Sequence, residues 1–134
     1  MAVRKIDHLG IAVQSHESVQ GVYEEILGLR KDFVEEVASQ RVRTAFYPCH
    51  GVNLELLEPT DPDGPVGRFL AKRGEGFHHV AFEVDDIVKE LERLDKAGVA
   101  LIDRTPRPGA HGTMIAFLHP KATRGLLVEL VEHP

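Results

Sequence analysis

His8-Leu9-Gly10-Ile11-Ala12-Val13-Gln14 and His79-Val80-Ala81-Phe82-Glu83-Val84-Asp85 lie 71 residues apart and can be laid one over the other. Each is a short apolar run that opens with histidine, the signature of a strand. A helical pattern follows each copy. Val19, Val22, Tyr23, Ile26 and Leu27 recur at helical spacing behind Ser15, and Ile87, Val88, Leu91 and Leu94 do so behind Asp85 or Asp86. Gly28 and Gly98 stand where left-handed helix caps belong.

The likeness returns at the end of each copy. Gly51-Val52-Asn53-Leu54-Glu55-Leu56-Leu57-Glu58 matches Gly125-Leu126-Leu127-Val128-Glu129-Leu130-Val131-Glu132 at an offset of 74. Phe46-Tyr47-Pro48 and Phe117-Leu118-His119-Pro120 read as the preceding strands. Between the copies, the turn-rich Thr60–Pro65 leads into a short helix that starts at Pro65 and stops at Gly74. The expected fold is therefore α+β: two tandem βαβββ modules, residues 1–59 and 75–134, joined by a linker and helix over 60–74. Halves of this size are uncomfortable alone, so they should close around a shared sheet as one domain.

Bulk properties agree. The chain has 134 residues, 43% apolar and 28% charged, as in an ordinary globular protein. Its longest stretch free of Asp, Glu, Lys and Arg, Pro108 to Pro120, is 13 residues, too short to span a bilayer. The start, Met1 to Asp7, shows no apolar signal region. The single Cys49 excludes an internal disulfide framework and fits a reducing compartment, so a cytoplasmic location is expected. A net charge of −5 with no basic stripe speaks against nucleic acid and anionic membrane surfaces as partners.

The repeat singles out four residues. His8 and His79 open the first strands, while Glu55 and Glu129 sit inside the last ones, each pointing away from its apolar neighbours. Such a carboxylate is either solvated on an outer face or compensated inside a site, because an unpaired buried charge is costly. Gly10 and Ala81, two residues beyond each histidine, leave room beside it. Brought into one cavity, two imidazoles and two carboxylates suit a borderline divalent ion such as Co²⁺, Ni²⁺, Zn²⁺, Mn²⁺ or Fe²⁺. His78 should face away from His79. His111 lies in a Gly-flanked loop and is a weaker candidate for substrate contact. His119 is balanced between turn structure and function, and His16, His50 and His133 carry no pattern. No phosphate-cradling loop, CxxC or nucleophile elbow occurs.

These same residues carry a resemblance to the vicinal oxygen chelate superfamily and, within it, to the methylmalonyl-CoA epimerase family. It runs through Ile6-Asp7-His8-Leu9-Gly10, Leu54-Glu55-Leu56-Leu57-Glu58-Pro59, Gly74-Glu75-Gly76-Phe77-His78-His79 and Gly125-Leu126-Leu127-Val128-Glu129-Leu130. The resemblance implies a curved mixed sheet around a metal, typically Co²⁺, held by His8, His79 and Glu129 with Glu55 at the remaining position. It implies methylmalonyl-CoA as substrate, inversion at its C2, and a homodimer. Glu129 would be the first catalytic base and Glu55 a second. One feature departs from the family: where a glutamate would be expected as second base, this chain has Thr44. A glutamate at position 55 also resembles bacterial glyoxalase I, which makes lactoylglutathione lyase the alternative activity. A non-catalytic binder would lack the metal set, and ring-cleaving dioxygenases of this superfamily are usually much longer.

Overall fold

A computed structural model describes residues 3–134; Met1 and Ala2, where the N-terminal reading begins, lie outside the described residues. The chain forms two compact units. One is His8–His78; the other is the chain up to Asp7 together with His79–Pro134. The strands are β1 (Val3–Ala12), β2 (Phe33–Val37), β3 (Val42–Cys49), β4 (Val52–Pro59), β5 (Gly76–Val84), β6 (Arg107–Pro108), β7 (Met114–Leu118) and β8 (Val128–Glu132). The helices are α1 (His16–Gln20), α2 (Pro65–Arg73) and α3 (Ile87–Lys96). The order is βαβββ, helix, βαβββ, the architecture expected from the repeat.

In the His8–His78 unit the strands run β2-β3-β4-β1, with β1 parallel to β4 and the other pairs antiparallel. The other unit repeats this as β6-β7-β8-β5, with β5 parallel to β8. The change of offset from 71 to 74 has a local cause. Phe46 pairs with Glu55 and Phe117 with Glu129, so the extra three residues fall in the connection between each pair. In the first copy that connection is a two-residue hairpin. Its central residues, His50 (φ 49°) and Gly51 (φ 90°), are both left-handed, as the twist of paired strands prefers. In the second copy a longer loop passes through a 3₁₀ turn at Pro120–Ala122.

Helix starts follow their expected caps. The Ser15 hydroxyl accepts from the Ser18 N–H at 3.2 Å, and the Asp86 carboxylate from the Lys89 N–H at 3.1 Å. Gly28 (φ 72°) and Gly98 (φ 79°) take the left-handed positions beyond the helices. The α2 helix begins at Pro65 and ends before Gly74 (φ 77°). Gly67, in its first turn, lies so close to the preceding turn that a Cβ there would stand 2.6 Å from the carbonyl oxygens of Asp61 and Pro62.

One helical expectation fails. The chain leaves α1 at Gln20 and continues as a π-helical segment, Gly21–Ile26, with the Leu27 N–H donating to the Val22 carbonyl at 2.9 Å. The wider winding turns the expected stripe. Val19 and Tyr23 pack on the core with Val13, Ala45, Tyr47 and Leu56, but Val22, Ile26 and Leu27 are exposed, Ile26 at 77%.

Tyr47, fully buried in that core, donates its hydroxyl to Glu24 at 2.7 Å. Burial, reinforced by the bonded carboxylate, pushes its phenol up to about 12 from the ordinary 10.0. The folded chain thus keeps a proton that the unfolded chain releases, so this contribution is complete below about pH 10 and is lost as pH rises towards about 12. Urea midpoints at about pH 9 and about pH 11 should drop for the native sequence and drop less for Tyr47→Phe. Parallel drops in the two proteins would refute the assignment.

Candidate metal centre

Strand register builds the same constellation twice. In the His8–His78 unit, Glu55 on β4 stands opposite Gly10 of β1 and Phe46 of β3. Gly10 contributes no side chain, and His8, two residues earlier on the same face, brings its Nδ1 to 3.1 Å from Glu55 Oε2. In the other unit, Glu129 on β8 stands opposite Ala81 of β5 and Phe117 of β7. His79, again two residues earlier, places its Nε2 3.0 Å from Glu129 Oε1. The His79 ring meets Phe117 edge-on, with centroids 5.8 Å apart.

Burial decides between the two readings left open for the glutamates. Glu55 is 7% exposed and Glu129 3%, with His8 at 6% and His79 at 2%. These carboxylates are therefore not solvated outer-face residues. Each is held in an apolar strand, where a charge needs compensation, with an imidazole nitrogen within about 3 Å. Each pair offers one nitrogen and one oxygen donor and no sulfur, ligand types that borderline divalent ions accept. Cys49 is exposed at the β3–β4 hairpin. The chain thus carries His and Glu groups able to hold a metal ion.

The remaining histidines divide by their surroundings. His78 stacks edge-on against Phe69 at 4.9 Å. His16 brings Nε2 to 2.8 Å from the Leu56 carbonyl. His119 accepts the Lys121 N–H on Nδ1 at 3.0 Å within its turn. His133 lies 2.5 Å from Asp7. His111 sits on the exposed loop between β6 and β7 with a left-handed backbone, φ 57°.

Four residues on the flanking strands β2, β3, β6 and β7 were not singled out as site candidates by the sequence. Phe46 and Phe117 occupy matching places beside the glutamates, and their equal offset of 71 was the available signal. Arg107 lies over the Phe117 ring, 5.4 Å from its centroid, and its Nε stands 3.4 Å from Asp103. Glu35, on β2, pairs with the buried Thr44 and so shares the face of Glu55 and His8. Nothing in the periodicity located β2, so Glu35 could not be assigned a face.

Residues 7–117 match the Glyoxalase/Bleomycin resistance protein/Dioxygenase superfamily. An uncharacterized Bacillus subtilis protein, YqjC, is 45% identical over 97% of this chain and 93% of its own length. The mitochondrial methylmalonyl-CoA epimerase of Dictyostelium discoideum is 35% identical over 98% of this chain and 80% of its own. A solved methylmalonyl-CoA epimerase in complex with methylmalonyl-CoA and NH₄⁺ is 36% identical, with a TM-score of 0.94 over 98% of this chain and 96% of that one. The chain, with its two βαβββ repeats, belongs to this glyoxalase-type superfamily. Within it, the chain belongs to the methylmalonyl-CoA epimerase family.

Proposed function

We propose that this protein interconverts (2R)- and (2S)-methylmalonyl-CoA, with repeats 1–59 and 75–134 acting as one domain. The observation that carries this reading is the recurrence of a buried, 3 Å His–Glu pair in each repeat of a chain from an epimerase family. His8, Glu55, His79 and Glu129 together hold one divalent cation, Co²⁺ in the first instance, with Ni²⁺, Zn²⁺ and Mn²⁺ as substitutes. When bound, that ion supplies Lewis-acid stabilisation of negative charge developing on the substrate's oxygens.

The chain's own groups handle the proton. The C2 hydrogen lies between a thioester and a carboxylate, and its removal leaves an enolate. Inversion then requires one group to take a proton from one face and another to return one to the opposite face. Glu129 is the group for the first face, and Glu55 is the candidate that the sequence offers for the second. His111 contributes a substrate contact from its loop.

The test is proton NMR of methylmalonyl-CoA in D₂O. Loss of the C2 proton signal with interconversion of the epimers supports the reading; no exchange, or turnover of the methylglyoxal–glutathione hemithioacetal instead, overturns it. Among the described residues no helix is long and apolar enough to cross a membrane. The protein is proposed to work in the cytoplasm as a homodimer. The exposed Val22, Ile26 and Leu27 offer an apolar stripe of the kind a second copy covers. Sedimentation should show a dimer that Ile26→Asp dissociates, and a monomeric native chain would refute the pairing.

A further inference from the structure

We infer that Glu35 is the second proton carrier, working on the face of C2 opposite Glu129 and leaving Glu55 as a ligand; this rests on the epimerase reading above. Two-face chemistry needs a second group that titrates as an acid or base, and the Thr44 hydroxyl does not ionise in the working range. Sheet register supplies a carboxylate one strand away. Glu35 pairs with Thr44, Thr44 with Leu57, and Leu57 lies two residues beyond Glu55 on β4. All four therefore project from the face that bears His8, opposite the one covered by Val19 and Tyr23.

Scale supports the assignment. Two steps across the sheet and two residues along it separate the Glu35 and Glu55 Cα atoms by roughly 12 Å. A proton carrier at Glu35 and a ligand at Glu55 are thus spaced on one face by about the size of a small acyl group. Glu35 is half-buried, and one face-neighbour along β2 is Phe33, whose ring stacks on Phe46 with centroids 4.6 Å apart. The carboxylate thus stands beside an apolar wall, next to the position where the family's base would be expected. Glu36, the next residue, projects from the other face, opposite Arg43, and is exposed.

The experiment uses metal-loaded protein in D₂O, offered each epimer separately. Glu35→Gln should cut interconversion by about 10²–10⁴-fold. One epimer should still exchange its C2 hydrogen without inverting, because Glu129 remains, while the other should exchange slowly. Metal content and the circular dichroism spectrum should match the native protein, Glu35→Asp should restore part of the rate, and Glu36→Gln should retain it. Interconversion by Glu35→Gln within about threefold of native, or equal loss of exchange for both epimers, overturns the role of Glu35 alone. A native protein that exchanges neither epimer overturns the epimerase reading and this assignment together.

Discussion

Protein purified without chelators should carry about one equivalent of divalent metal per chain, and stripping that metal should abolish exchange at C2. The expectation follows from donor chemistry: each half offers one buried imidazole and one buried carboxylate, borderline ligands with no thiolate among them. A divalent ion held by these residues would supply Lewis-acid stabilisation of charge developing on the substrate's oxygens. Removing one donor should weaken binding by more than about 100-fold, above the 10–100-fold typical of residues that merely support a ligand. Titration with Co²⁺, followed by its visible absorption, separates His8→Ala and Glu129→Gln from the native chain on that criterion. Exchange that persists in the fully stripped protein would remove the metal from the mechanism.

In the stripped protein, His79→Ala should lower the free energy of unfolding by about 1–3 kcal/mol, the cost of taking a close polar partner from a buried carboxylate. Glu129 is the group that loses this imidazole: it is 3% exposed and set among Val128, Leu130 and Val131, all buried. Against a total stability of about 5–15 kcal/mol, this loss is severe. Replacing both members, His79→Leu with Glu129→Leu, should recover much of it, because no charge remains to desolvate. Urea denaturation of the native chain, His79→Leu, Glu129→Leu and the double variant forms a closed cycle. A single-variant loss below about 1 kcal/mol would mean that Glu129 already has adequate compensation elsewhere.

Much of this was legible in the residues because the repeat constrains it. His8 over His79 and Glu55 over Glu129 marked both pairs, and Ser15, Asp86, Gly28, Gly98 and Pro65 marked helix boundaries by local chemistry. The small residues Gly10 and Ala81 proved to be the strand partners of the two glutamates. What stayed hidden depends on geometry that single-sequence patterns do not encode. The π-helical winding after Gln20 turned Val22, Ile26 and Leu27 outward against a correct apolar period. The β2 strand, Phe-Val-Glu-Glu-Val, alternates too weakly to declare a face, so Glu35 became visible only through its register with Thr44. The partners of His16 and His133 are remote in sequence, at Leu56 and Asp7.

The contact at Gly67 bears on how the stretch after the first repeat can vary. Because the first turn of α2 rests backbone to backbone on Asp61 and Pro62, that stretch is a fitted spacer and not a slack tether. Variants that lengthen it, or that place any side chain at position 67, must lift the helix off its seat, whereas additions at the open β3–β4 hairpin meet no such obstacle.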